Sequence, residues 1–440
     1  MTETQPKRYF IWTVGCQMNK VDSERVADSL EARGFLAAEH EDDADIIIIN
    51  SCAVRESAER RVSGKLGNLL QRKRENPELL LGLTGCSVSP DFEATKERFR
   101  GADLYFQPTR LDQMAEQLDR VWPESTDPGI MACWQEQKGT TEDRGPLAFV
   151  PISNGCDKFC TYCIVPYRRG RERSRGIFDI VEECGSLVKR GVKEITLLGQ
   201  RVNAYGRDFK DGTDLADLLV LVNDIPGLAR LRFLTSYPKD MSDKLIATIA
   251  DLDKVCEHIH LPVQAGNDEV LENMRRGYTR DDYLSLIERI RTAAPGIAIS
   301  TDIIVGFPGE TEEQYQDTLS LMREVRFSTV YSAAYSPRPG TLAARWGDDM
   351  PADVKKDRLQ RLDAVQTEIA LEQHRALKGE LVEILVESSE SARKDVPQWR
   401  GRTRQNRQVF FPRTEDDLLG RTVRVRVDKV SPWAMQGARA

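Results

Sequence analysis

The sequence predicts an α/β protein in three parts: an N-terminal parallel α/β domain, a partial (βα)6 barrel and a small C-terminal β-barrel. Three observations carry this. Strand and helix patterns alternate in two separate series, which favours parallel sheets covered on both faces. The second series holds about six βα units, short of the eight of a closed barrel. After it, helical periodicity gives way to β-rich runs separated by turn residues.

In the first series, Arg8–Val14, Asp45–Asn50, Leu79–Leu83 and Asp103–Phe106 read as strands. Helices are expected over Val21–Arg33 and Ser57–Arg72, from near Asp91, and from Leu111. Pro123 to Pro146 carries Pro, Gly, Ser, Thr and mixed charge with no apolar period, so a linker is expected there, over residues 124–141. Six strands follow: Leu147–Ile152, Glu194–Leu198, Leu231–Leu234, His258–Leu261, Ile297–Ile304 and Ser328–Ala334. Helices fit between them over Asp179–Arg190, Asp214–Asn223, Asp240–Asp251 and Thr311–Val325. A charged helix from Val354 to Ala376 precedes β-rich runs at Glu380–Glu387, Gln408–Phe411 and Thr422–Val430.

At 440 residues the chain has room for two to three domains of ~100–200 residues each. No apolar run is long enough to span a bilayer, and the N-terminus lacks the basic and apolar regions of a signal peptide. A cytoplasmic protein with no membrane partner is expected, so the nine cysteines read as thiols or metal ligands rather than disulfides. The net charge of −7 excludes a global basic footprint, but Arg and Lys outnumber Asp and Glu from Arg393 onward.

Cys156, Cys160 and Cys163 stand in a CxxxCxxC loop directly after the first strand of the barrel series, with Phe159 and Tyr162 before the last two. Active sites of βα barrels gather at that end of the strands. Structural zinc needs a fourth ligand, and no Cys or His follows at nearby spacing. Three thiolates instead suit a four-iron cluster with one iron left open. Cys16, Cys52 and Cys86 each follow a predicted strand by one to three residues, and in a parallel sheet those ends lie on one edge. A lone cysteine there is usually a core residue. Three in successive βα units, two of them after glycine, read as a second open-iron cluster.

The CxxxCxxC loop resembles that of the radical S-adenosylmethionine enzymes. Together with Gly15-Cys-Gln-Met-Asn-Lys-Val-Asp-Ser-Glu24 and the C-terminal segment, it makes the chain resemble the radical S-adenosylmethionine methylthiotransferase family, tRNA branch, over nearly its whole length. The resemblance implies an N-terminal cluster domain over residues 7–123, a radical core over 142–374 and an RNA-binding TRAM domain over 375–438. It implies two [4Fe-4S] clusters, a radical cluster on Cys156, Cys160 and Cys163 and an auxiliary cluster on Cys16, Cys52 and Cys86. The implied reaction is methylthiolation of carbon-2 of N6-isopentenyladenosine at position 37 of tRNA. Two S-adenosylmethionine molecules serve it, one giving a 5′-deoxyadenosyl radical and one the methyl group, with sulfur delivered at the auxiliary cluster. The implied partners are a tRNA anticodon stem-loop, an electron donor such as flavodoxin or ferredoxin, and iron–sulfur assembly or sulfur-donor proteins; a monomer is expected.

Gln200, Ser236, Gln264, Asp302 and Gly306 lie at predicted strand ends that also resemble the family, and are candidates for contact with S-adenosylmethionine or substrate. Loop capping and a tight turn are the alternatives. Arg400, Arg402, Arg404, Arg407 and Arg424 are candidates for RNA contact, with Phe410, Phe411 and Trp433 either stacking on bases or filling the barrel. Arg168, Arg169, Arg171, Arg173 and Arg175 crowd the exit of the CxxxCxxC loop and read as phosphate contacts or solvated surface. His258 and His260 share a strand face and read as packed histidines; Cys184 and Cys256 read as core thiols, and Cys133 as incidental. Two rival functions remain at this point: modification of an aspartate of a ribosomal protein, and a non-catalytic, redox-responsive iron–sulfur RNA-binding protein.

Overall fold

The computed structural model describes residues 6–53, 56–122, 145–391, 397–414 and 416–440, so the expected linker and Cys133 lie outside the described residues. Contacts divide the chain into two compact units. The first falls within Met1–Glu142 and adds Gly155–Asp157 and Cys163–Arg171; the second falls within Asp143–Asn154, Lys158–Tyr162 and Glu172–Ala440.

The first unit is built on five parallel strands: β1 (Arg8–Thr13), β2 (Leu36–Ala37), β3 (Ile46–Ser51), β4 (Leu80–Gly85) and β5 (Leu104–Tyr105). Their spatial order is β2-β1-β3-β4-β5. Every residue of β3 is buried, as a central parallel strand covered on both faces requires. Alternation divides its isoleucines. Ile47 and Ile49 pack with Val62, Leu66 and Leu69 of helix Glu56–Glu75. Ile46 and Ile48 pack on the other face with Val26 and Leu30 of helix Gln17–Glu31 and with Met114 and Leu118 of helix Leu111–Val121. That first helix starts four residues before the sequence pattern suggests. Its opening turn is polar, and Asn19 is buried there by hydrogen bonds that hydropathy does not register.

In the second unit, β6 (Leu147–Pro151), the short pair β7 (Ser153–Asn154) and β8 (Arg173–Ser174), β9 (Glu194–Leu198) and β10 (Arg230–Phe233) come first. β11 (His258–His260), β12 (Ala298–Val305) and β13 (Thr329–Ala334) follow. β6, β9 and β10 pair in parallel, as do β11, β12 and β13. A parallel bridge between Leu231 and Val255 joins the two halves. Six parallel strands thus run in chain order, with β6 and β13 as the outer ones, an open and partial barrel as expected.

The C-terminal strands are β14 (Leu381–Ser391), β15 (Pro397–Arg402), β16 (Gln408–Pro412), β17 (Thr422–Val430) and β18 (Met435–Arg439). They close into a barrel in the order β14-β15-β16-β18-β17. β15 and β18 escape sequence reading because arginine, glutamine and glycine dominate them; their place is decided by pairing on both sides. Trp399 and Phe411 lie in the barrel core with Ile384, Val386, Val409 and Val427, whereas Trp433 is exposed. Trp399→Ala is expected to cost about 3–5 kcal/mol of barrel stability, read by thermal or denaturant unfolding. A loss below about 1 kcal/mol would contradict this packing.

Candidate functional site

Cys16, Cys52 and Cys86 follow β1, β3 and β4, which are neighbours in the sheet. The register sets Thr13 against Asn50 and Ser51 against Gly85, so the three chains leave the sheet at one level. Cys16 then caps helix Gln17–Glu31, at the end whose dipole favours a negative ligand. A Cβ on Gly15 would stand 3.0 Å from that of Cys52, so the two strand exits are in close approach. Gly85, before Cys86, has φ +95°, a conformation that glycine adopts freely and that turns the chain at this edge. Buried amides fix the arrangement. Asn19 donates to Asn50 Oδ1 at 2.9 Å and to the Ser51 carbonyl at 3.0 Å, and Asn50 donates back to the Asn19 carbonyl at 2.7 Å.

The same unit contains Cys156 and Cys163. Ile164, next to Cys163, packs with Ala53 and Cys86. Arg169, from the loop exit, donates from Nε to Cys86 Sγ at 3.2 Å and from Nη2 to Asp22 at 2.7 Å. Both partners of the Arg169–Asp22 pair are buried. Burial pushes the Cys86 thiol above its ordinary range, and the Arg169 charge opposes that rise. Arg169 is therefore a buried donor to Cys86 and Asp22, which corrects its reading as surface or phosphate contact. Arg171, by contrast, is exposed and pairs with Asp157 at 2.7 Å.

In the second unit, Cys160 is buried. Among the described residues, buried polar atoms without a hydrogen-bond partner include Ser153 Oγ, Gln200 Oε1, Ser236 Oγ and Gln264 Oε1. They stand just past the ends of β6, β9, β10 and β11 in turn. Leaving one such group unmatched is costly, so four at successive strand ends suit a polar ligand there. Backbone strain gathers at the same edge: Thr235 has φ +70° and Gln264 φ +79°. The residues therefore fit S-adenosylmethionine or a nucleoside. Ser153 carries the same signal as the others and is a residue that sequence reasoning missed.

Asp302 is half-buried, with His260 Nε2 at 3.4 Å from its Oδ2. His258 and His260 both contact Ser300 Oγ at 3.0 Å, so they are the packed, hydrogen-bonded histidines expected. Gly306 has φ +69°, and its N–H donates to Glu310 Oε2 at 2.7 Å. Its backbone donor is thereby engaged within the turn rather than offered to a ligand. Cys184 lies in the apolar core, and Cys256 is buried beside the charges of Arg230, Arg232, Arg404 and Glu194; burial pushes their thiols up to about 12 and about 11.

The C-terminal arginines divide. Arg404 makes a two-pronged pair with Glu257 at 2.7 and 2.8 Å, and Arg402 pairs with Glu387 at 2.7 Å. Arg230 and Arg232 of β10 donate to the carbonyls of Arg402, Thr403 and Arg404. Arg402 and Arg404, candidates for RNA contact in the sequence, both hold protein carboxylates with their guanidiniums here. Arg400 pairs with Glu390 at 2.5 Å, and Arg407 reaches Gln373 at 3.4 Å. Arg424 is exposed on β17, as are Arg421 and Arg426 nearby.

Among the described residues, no three His, Cys, Asp or Glu side chains are grouped to hold a single metal ion. A four-iron cluster takes one thiolate per iron and so asks for a wider triangle than one ion does. Cys16, Cys52 and Cys86, at three neighbouring strand exits, suit such a cluster in the chemistry and placement of their donors. No helix among the described residues is long and apolar enough to cross a membrane.

Three family descriptions match the chain: the Radical SAM superfamily over residues 150–322, Uncharacterized protein family UPF0004 over 8–107 and the TRAM domain over 375–437. The chain is 46% identical to the tRNA-2-methylthio-N(6)-dimethylallyladenosine synthase of Moorella thermoacetica, over 98% of each chain. It is 44% identical to that of Carboxydothermus hydrogenoformans, over 98% of this chain and 99% of the relative. Among solved structures, it resembles the radical S-adenosylmethionine methyltransferase TsrM from Kitasatospora setae with a TM-score of 0.57 at 15% identity, covering 77% of this chain and 74% of that one. That likeness concerns the fold.

Proposed function

This chain belongs to the family of tRNA-2-methylthio-N(6)-dimethylallyladenosine synthases, and from that premise we infer that it adds a methylthio group to carbon-2 of N6-isopentenyladenosine at position 37 of tRNA. It is a radical S-adenosylmethionine enzyme and a sulfur-group transferase. The observation that carries the reading is the set of three cysteines leaving neighbouring parallel strands at one level, in a chain that also carries the CxxxCxxC loop. Bound to these two sets, iron–sulfur clusters with S-adenosylmethionine supply a radical able to open a C–H bond and a sulfur to put in its place.

In this reading Cys156, Cys160 and Cys163 hold the radical cluster, and Cys16, Cys52 and Cys86 hold the auxiliary one. Ser153, Gln200, Ser236 and Gln264 turn their buried polar atoms to S-adenosylmethionine or the nucleoside and orient it. Asp302 offers a carboxylate at the same strand ends. Arg424, with Arg421 and Arg426, meets the phosphates of the anticodon stem-loop, whose unpaired bases are open to recognition. The enzyme works in the cytoplasm as a monomer. It takes electrons from a carrier such as flavodoxin or ferredoxin and sulfur from the iron–sulfur assembly system. The relatives are tRNA enzymes, so a ribosomal-protein aspartate and a purely sensory role are set aside.

Nucleoside mass spectrometry on tRNA from a strain lacking this gene tests the reading. The 2-methylthio nucleoside is expected to vanish, the unmodified isopentenyladenosine to accumulate, and a plasmid copy to reverse both. Unchanged 2-methylthio levels, in a strain with no second such gene, would overturn it.

A further inference from the structure

Several buried cations in the second unit face carboxylates. Arg201 pairs with Glu172 and Asp240, Arg358 with Glu310, and Arg232 with Glu194. Arg276 departs from this pattern. It is 5% exposed, and among the described residues no carboxylate pairs with it. Nε donates to the Tyr278 hydroxyl at 2.9 Å and Nη2 to the Pro262 carbonyl at 2.8 Å. Nη1 reaches the Tyr162 hydroxyl at 3.4 Å and the Cys160 sulfur at 3.5 Å. The guanidinium also lies 4.7 Å from the centre of the Tyr237 ring.

The surrounding chain is built to keep it there. Arg275 and Gly277, on either side, both have positive φ, and the Tyr237 hydroxyl donates to the Arg276 carbonyl. Thr161, next to Cys160, ties the loop to the same turn. Its hydroxyl donates to the Asn273 carbonyl at 2.8 Å and its N–H to the Met274 carbonyl at 3.2 Å. A buried charge without a partner is unfavourable, so a fixed guanidinium ringed by neutral groups and one sulfur calls for an anion at that sulfur.

We propose that Arg276 is a positioning residue for the radical cluster, supplying the fixed positive charge and the N–H donor that secure Cys160 as a ligand and raise the reduction potential. The proposal rests on the reading of Cys160 as a cluster ligand. A cluster on three thiolates is anionic and gains a further negative charge on reduction. A cation held in a low-dielectric interior beside one of its sulfurs therefore favours the reduced form over the oxidised one. Arginine suits the task because its planar fork reaches several partners at once while staying charged.

The test uses the full chain with Cys16, Cys52 and Cys86 changed to alanine, so that one cluster reports. After anaerobic reconstitution, iron is counted and the reduction potential is followed by electron paramagnetic resonance, with Arg276→Gln and Arg276→Lys alongside. In Arg276→Gln the reduction equilibrium constant is expected to fall about tenfold or more, about 59 mV for one electron. Arg276→Lys is expected to recover at least half of that shift. An Arg276→Gln protein with full iron and an unmoved potential overturns the proposal, and so does a lysine variant as low as the glutamine one. Should Arg276→Gln take up no iron, melting of the iron-free proteins decides. Equal melting temperatures support a role confined to the cluster, and a large drop overturns it. If the chain with Arg276 intact takes up no iron, the ligand assignment itself falls, and the proposal with it.

Discussion

Cys160→Ala is expected to hold about four irons per chain in place of about eight and to release no 5′-deoxyadenosine when reduced with S-adenosylmethionine. The loss should exceed the ~100-fold that follows removal of a supporting group around a metal, because the ligand itself is gone. Cys160 is a buried residue, and its sulfur lies 3.5 Å from Arg276 Nη1. Alanine would therefore also leave that cation facing no sulfur. A variant that still cleaved S-adenosylmethionine at the parent rate would remove Cys160 from the radical site.

Cys52→Ala should separate the two halves of the reaction. Cys52 is buried at the end of β3, between the exits of β1 and β4. Its loss is expected to bring iron to about four per chain while 5′-deoxyadenosine release continues. The methylthio product should vanish with the auxiliary donor set, whereas the strand-end atoms proposed above to hold S-adenosylmethionine lie on other strands and are left intact. Anaerobic single-turnover assays that quantify 5′-deoxyadenosine and modified nucleoside together would read both. Methylthio product formed by Cys52→Ala at the parent rate would refute the auxiliary cluster.

Much of this was legible along the chain because the signals are local. A central parallel strand must be apolar on both faces, so Ile46–Ile49 announces itself. A cysteine one to three residues past such a strand must lie at the sheet edge, whatever the rest of the chain does. The elements that escaped have no local signature. β15 and β18 carry arginine and glycine and become strands only by pairing. The opening turn of helix Gln17–Glu31 is held by Asn19 and Asn50, partners 31 residues apart.

The arginines show the same division most clearly. Composition marks the segment after Arg393 as basic, yet Arg404 is bound to Glu257, 147 residues away, and Arg424 is left exposed. By itself, the sequence determined the fold class and the placing of two cysteine sets at strand ends, and its resemblance to a family implied the chemistry, because motif spacing and strand-end placement follow from the covalent chain. Only the tertiary structure decided which cation serves which sulfur. It sets Arg169 on Cys86, 83 residues away, and Arg276 on Cys160, 116 residues away. It also left Ser153, Gln200, Ser236 and Gln264 with buried polar atoms that have no hydrogen-bond partner among the described residues. The physical reason is that a buried charge or polar atom is matched by whatever packing brings near it, and packing distance is indifferent to separation along the chain.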